Sequence, residues 1–161
     1  VRFSPDGTNV ASASYDGTVR IWDIEDREEI ELLYTLEGHQ FAVTSLAWHP
    51  SGESIVTGSL DTTVRLWEVD SGVELFRLAG HEDAVYSVAF DLTGRTIASG
   101  SWDEIRIWDV EHAQEILKLH SEEGHGHSWP VLNLEFTKKS LVSSSADATI
   151  MFWGVERPEP K

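Results

Sequence analysis

The sequence predicts an all-β protein made of four in-register copies of one antiparallel, four-stranded unit. Three observations carry this. The stretch VTGSLDTTVRLWEVD at 56–70 recurs as SASYDGTVRIWDI at 12–24, SGSWDEIRIWDV at 99–110 and SSSADATIMFWGV at 143–155. Asp16, Asp61, Asp103 and Asp147 follow one another at spacings of 45, 42 and 44, and Trp22, Trp67, Trp108 and Trp153 at 45, 41 and 45. A period in that range belongs to architectures that stack one supersecondary unit. Within each copy, β-branched and aromatic residues flank a polar turn, which is the composition of a hairpin.

In the first unit, VRF at 1–3 is the stub of an innermost strand, SPDG at 4–7 a turn, 10–24 a hairpin and 32–36 an outer strand. The second unit has every part: AVTSLAW at 42–48, the turn HPSG at 49–52, a hairpin about Asp61, and an outer run that ends in Gly-His at 80–81. The third repeats this with AVYSVAF at 84–90 and DLTG at 91–94, but Trp108 follows Asp103 at a spacing of five, where Trp67 follows Asp61 at six. A tighter or distorted turn is therefore expected at 102–104. Two Gly-His pairs precede the fourth unit. His127 stands four residues before Val131 and nine before Phe136, as His39 and His81 stand before their own Val and aromatic, so His127 is assigned to the repeat and His125 to a loop. The fourth unit's first turn, TKKS at 137–140, lacks the glycine of its counterparts. The units run over about 1–37, 38–79, 80–123 and 124–155, with 156–161 as a tail.

The pairs Gly38-His39, Gly80-His81 and Gly126-His127, the four turn aspartates, and the four tryptophans followed by Asp23, Glu68, Asp109 and Gly154 together resemble the WD-repeat β-propeller family over nearly the whole chain. The resemblance implies a propeller of four-stranded antiparallel blades, with the first and last incomplete. Propellers of this type usually carry about seven blades, so four imply a partial one. Val1 aligns with Leu46, near the end of an innermost strand, and eight residues follow Trp153 where Trp22 to Leu46 takes 24. The sequence thus reads as a piece of a longer protein. The rival reading is that two copies self-associate through the incomplete terminal blades into an eight-bladed ring. In the tail, Pro158 and Pro160 cannot donate ladder hydrogen bonds, which makes it a poor closing strand.

Composition narrows the function classes. A net charge of −16 over 161 residues disfavours nucleic acid, whose phosphates call for Lys and Arg clusters. Glu25, Asp26, Glu28, Glu29 and Glu31 crowd one connection and read as a solvated loop. The absence of cysteine removes the signal of an oxidising compartment, so an intracellular, cytoplasmic location is expected. No apolar run reaches membrane-spanning length.

Ser, His and Asp recur throughout, and they are the members of a hydrolytic triad. Repetition argues against catalysis, because a catalytic constellation is needed once. By resemblance, these positions form a structural network in each blade: His39, Thr57, Asp61 and Trp67 in the second; His81, Ser99, Asp103 and Trp108 in the third; His127, Ser143, Asp147 and Trp153 in the fourth. The first offers Ser12, Asp16 and Trp22 without a histidine. Serines two before the Asp share a strand face with those four before it, and Thr57 favours the latter position. His120, Glu122, Glu123, His125 and His127 could by type hold Zn²⁺, but His127 is already assigned to the network and the others sit on a Gly-rich loop. No metal, cofactor or catalytic residue is expected.

Recognition is the remaining role. The family commonly binds proteins or peptides on the face that carries the Gly-His and hairpin-turn loops. By resemblance that face holds Tyr15, Leu60, Trp102 and Ala146 just before the turn Asp, and Phe41, Thr44, Tyr86, Trp129 and Leu132 after Gly-His. Large aromatics at loop tips have no core to fill, and aromatic anchors dominate interface energetics. Tyr15, Phe41, Leu60, Tyr86 and Trp102 are expected to form one partly apolar patch. The expected function is a non-catalytic interaction scaffold; the alternative is the sensor propeller of a larger signalling protein with a separate catalytic domain.

Overall fold

The computed structural model describes residues 1–26, 28–120 and 126–154. Fifteen strands among them form four antiparallel sheets in chain order. Blade 1 comprises β1 (Arg2–Phe3), β2 (Asn9–Ala13), β3 (Val19–Asp23) and β4 (Glu31–Leu36). Blade 2 comprises β5 (Val43–Trp48), β6 (Ser54–Ser59), β7 (Val64–Glu68) and β8 (Glu74–Leu78). Blade 3 comprises β9 (Ser87–Phe90), β10 (Thr96–Gly100), β11 (Glu104–Asp109) and β12 (Gln114–His120), and blade 4 comprises β13 (Val131–Phe136), β14 (Ser140–Ser145) and β15 (Ile150–Gly154). The fourth sheet has three strands among the described residues, and the tail 156–161 lies outside them.

Each strand pairs with its sequence neighbour, so every blade is a meander. In blades 1 to 3 the first turn is closed by a glycine at positive φ: Gly7 (79°), Gly52 (83°) and Gly94 (73°). Such a backbone favours glycine, which has no Cβ to clash. The fourth blade's departure has a simple geometric cause. The Thr137 amide donates to the Ser140 carbonyl, whereas in blade 1 Ser4 donates to Asn9. Two residues are missing from the loop, and with them the left-handed position.

In blades 1 to 3 a bulge interrupts the pairing of the third and fourth strands just before the repeat tryptophan, between Ile21 and Trp22, Leu66 and Trp67, and Ile107 and Trp108. A bulge re-aims a side chain and deepens the local twist. Here the extra residue, Leu33, Leu75 or Ile116, lies on the outer fourth strand, while the tryptophan strand keeps an unbroken register with the second strand, and Trp67 and Trp108 are buried.

Blades stack face to face, and each interface is its own core. Ala11, Val19, Ile21 and Leu36 of blade 1 pack against Leu46, Trp48 and Ile55 of blade 2. The equivalents Val56, Val64, Leu66 and Leu78 of blade 2 pack against Val88, Phe90 and Ile97 of blade 3. Ala98 and Ile105 then meet Leu134 and Leu141 of blade 4. At about 25 cal/mol per Å² of apolar surface removed from water, these contacts supply most of the driving force for stacking. The innermost strands β1, β5, β9 and β13 converge around a cavity of about 460 Å³. The architecture is that of a partial propeller.

Candidate functional site

The chain's topology puts two kinds of loop at one edge of every blade. Because neighbouring strands run antiparallel, the turn between the second and third strands and the connection to the next blade lie at the same end. Hydrogen bonds tie them together. The Val43 amide donates to the Ser14 carbonyl, Leu60 to Ala42, Val85 to Ser59, Val131 to Ser101, and Ala146 to Pro130. Serines two before the turn position add a clamp: the Ser59, Ser101 and Ser145 hydroxyls donate to the carbonyls of Phe41, Ala84 and Trp129. Sequence reasoning missed this use of the invariant serine, although its recurrence in every copy was a readable signal.

Beneath this edge lies the polar network. In blade 2 the Trp67 indole N–H donates to Thr57 Oγ1 at 2.9 Å, and that hydroxyl lies 2.7 Å from His39 Nε2. His39 Nδ1 lies 2.9 Å from Asp61 Oδ2. The chain of donors is complete when the imidazole is neutral with its proton on Nδ1: Thr57 donates to Nε2, and Nδ1–H donates to the carboxylate. Asp61 also accepts from the Gln40 amide at 3.0 Å and from Thr63. Blade 4 repeats the geometry, with Trp153 2.8 Å from Ser143 Oγ, Ser143 Oγ 2.7 Å from His127 Nε2, and His127 Nδ1 3.1 Å from Asp147. The Ser128 amide donates to Asp147 as Gln40 does to Asp61. Glycine precedes the histidine because its neighbours come close. A Cβ at Gly80 would stand 2.6 Å from the Arg106 guanidinium and 3.2 Å from the Trp108 ring.

Blade 3 requires a correction. Trp108, Ser99 and His81 align as expected, at 2.7 Å and 2.6 Å, but the carboxylate on His81 Nδ1 is Glu104, at 2.6 Å, and not Asp103. The shortened turn explains it. In blades 1, 2 and 4 the turn contains a left-handed residue, Gly17, Thr62 or Ala148, and the amide before the loop reaches four residues ahead. In blade 3 the Ser101 amide bonds the Glu104 carbonyl three residues ahead. Glu104 therefore occupies the register position of Thr63, and its longer side chain reaches where an aspartate carboxylate sits elsewhere. It also accepts from Arg106 Nε at 2.7 Å and meets Lys118 Nζ at 2.6 Å. In blade 1, Trp22 donates to Ser12 at 3.3 Å, while Asp16 is exposed and pairs with Arg20.

The electrostatics follow from burial and donors. Burial alone would raise the Asp61 carboxyl, but the Thr63 hydroxyl, the Gln40 amide and His39 outweigh it and hold it well below the carboxylate range. Burial likewise raises Glu104, and hydrogen bonds from Arg106 and Lys118 bring it down to about 2. Burial pushes His81 down to about 4 against the opposing pull of Glu104, and it lowers His39 in the same way against Asp61. In blades 2 and 3 the network thus sets neutral imidazoles on ionised carboxylates. No nucleophile is exposed in it: Thr57, Ser99 and Ser143 are fully buried and hydrogen-bonded. It holds loops in place.

The expected recognition residues all lie in the loops of this edge or at the start of the strands that follow it. Tyr15 is 88% exposed, Phe41 64% and Trp102 45%, while Leu60 and Tyr86 are half-buried. Ala146 is exposed in the blade 4 turn, and Leu132 is exposed at the start of β13. Trp102 and Trp129 stack across the blade 3 to blade 4 boundary, with ring centroids 6.4 Å apart and planes 19° from parallel. Thr44 is different from the others. Its hydroxyl lies within hydrogen-bonding distance of the Gly58 and Val85 carbonyls, so it ties blade 2 to blade 3. Of the residues weighed as zinc ligands, Glu122, Glu123 and His125 lie outside the described residues, and both ring nitrogens of His127 are engaged.

Comparison with known proteins agrees with this architecture. A family model described as WD domain, G-beta repeat matches residues 1–23, 30–68 and 72–109. The chain is also similar to a WD repeat-containing protein WDS homolog of Arabidopsis thaliana, 44% identical over 48 residues. That match covers 30% of this chain and 9% of the relative. The fourth blade lies beyond the matched residues and is assigned by its sheet and by His127, Ser143, Asp147 and Trp153. With the family model matching more than half of its length, the chain belongs to the WD-repeat family, whose domains are protein-interaction scaffolds and generally non-catalytic.

Proposed function

We propose that the chain binds protein or peptide partners through the loop edge that carries Tyr15, Phe41, Leu60, Tyr86, Trp102 and Trp129. The observation that supports this most is the exposure of Tyr15, Phe41, Trp102 and Trp129 on loops whose backbones are pinned by internal hydrogen bonds. Pre-positioned aromatic side chains lose little conformational freedom on contact, which is how anchors contribute most of an interface's affinity. The network beneath supplies the rigidity, and Thr44 contributes by joining blades. The net charge of −16 favours partners with basic surfaces over nucleic acid.

Site-specific photocrosslinking tests this reading. A benzophenone side chain is placed at Tyr15, Phe41 or Trp102, and at Leu92 as a control. Leu92 is exposed in the turn between β9 and β10, at the opposite edge of blade 3. Adducts formed in the native cell extract from the first three positions and not from Leu92 are the expected result. Equal labelling from both edges would overturn the assignment of the face.

A further inference from the structure

Blade 3 differs from blades 2 and 4 in the fate of its turn aspartate. Asp61 and Asp147 each accept from a histidine, a threonine and the amide that follows the histidine. With Glu104 bound to His81, Asp103 makes no hydrogen bond or ion pair among the described residues. It stands exposed beside Trp102, and the two line a cavity of about 350 Å³ together with Glu82 and Asp83.

Acid alone would make only a solvated face. Two further features give this place a shape. Trp102 is stacked on Trp129, which fixes the plane of its ring, and nearly half of it remains open. Glu104, Lys118 and His120 also border the cavity; the Lys118 ammonium is held by Glu104 at 2.6 Å, and Asp103, Glu82 and Asp83 make no ion pair among the described residues. Small-molecule pockets are mostly apolar with a few polar groups. This one sets four carboxylates, three of them outside any ion pair among the described residues, beside one aromatic plate, which favours a cation packed over the indole. We propose that the Trp102 cavity is a slot for one lysine or arginine side chain of an extended basic segment in a partner protein. Arginine suits it best, because the guanidinium stacks flat on the ring while its N–H groups reach Asp103. The slot rests on the reading of the loop edge as the partner face, and it arises from the deletion that shortened the turn.

The test uses capped heptapeptides of neutral residues with arginine, lysine, citrulline or leucine at the centre. They are titrated into the ¹⁵N-labelled 161-residue chain, and the Trp102 indole N–H resonance is followed. Arginine and lysine peptides should displace that resonance saturably, citrulline and leucine peptides should not, and binding should weaken as salt is added. Asp103→Asn should weaken arginine-peptide binding about tenfold without changing the melting temperature, because Asp103 is outside the network. Equal binding of arginine and citrulline peptides, or an unaltered titration in Asp103→Asn, would overturn the slot. Crosslinking from Tyr15 and Phe41 is read in the same variant. If those crosslinks persist while the wild-type titration is flat, the slot fails and the wider face stands; if they are absent while the arginine titration saturates, the slot stands alone.

Discussion

Glu104 Oε1 lies 2.6 Å from His81 Nδ1, in the place that an aspartate one residue earlier would hold in a full-length turn. The loss of one turn residue was accommodated by moving the charge to the next position; the moved carboxylate accepts from Arg106 Nε at 2.7 Å, where Arg65 approaches Asp61 only to 3.9 Å, and it gains Lys118 as a partner. The equivalent guanidinium nitrogen in blade 2, Arg65 Nε, is buried without one.

It follows that the neighbouring acids of blade 3 are unequal. Glu104→Gln should cost about 1 to 3 kcal/mol, the usual penalty for weakening a buried charge-assisted network. Asp103→Asn should leave the denaturation midpoint unchanged. Urea titrations of both variants check this, and the reverse order would return the structural role to Asp103.

Asp61→Ala should likewise cost about 1 to 3 kcal/mol by stranding His39 Nδ1–H and the Gln40 amide. Asp16→Ala should change the melting temperature little, since Asp16 is exposed and no histidine stands on it. A melting temperature unchanged by Asp61→Ala would remove the network from the account of stability.

Stability should fall on acidification. His81 titrates at about 4 in the fold, whereas an unfolded histidine titrates at about 6.5. Between those values the unfolded chain binds more protons, so its share of stability is complete above about pH 6.5 and is lost as pH falls towards 4. Glu104, held at about 2, adds a second loss below the ordinary glutamate value. Thermal melts from pH 7.5 to pH 4 should show a steady drop, shallower in His81→Gln. A flat profile would mean that His81 titrates in the fold where it does in the unfolded chain.

The end faces should make the 161-residue chain self-associate. Ile150 and Phe152 are 65% and 73% exposed, at positions equivalent to Val64 and Leu66, which are buried in the interface with blade 3. At the other end Phe3 is 67% exposed, where its counterparts Trp48 and Phe90 fill an interface. The two end faces are different surfaces, so contacts between them are head-to-tail, which yields rings or open chains. Native mass spectrometry over a concentration series should show a dimer or longer species, reduced by Phe152→Asp. A strictly monomeric spectrum at every concentration would refute this.

Thr62 holds a φ of 70°, a strained conformation for a β-branched residue. Thr62→Gly should stabilise blade 2 by roughly 0.5 kcal/mol, the relief of strain less the entropy of the unfolded glycine. Gly17 already occupies the same place in blade 1. A lower melting temperature in the variant would show that the Thr62 side chain contributes contacts that outweigh the strain.

The sequence by itself determined the repeat, the four-stranded unit, the turn positions and most members of the network. Those features repeat in register, and a demand imposed several times leaves the same residue types at the same spacing. It also located the anomaly in the third turn, since a missing residue shifts a period visibly. It did not tell which carboxylate would answer His81, because two adjacent acids differ only in where the backbone aims them. The tertiary structure decided that, through a turn whose amide closes three residues ahead instead of four. It also decided that Thr44 joins blades and that Trp102 stacks on Trp129, contacts between residues far apart in the chain that no local pattern encodes.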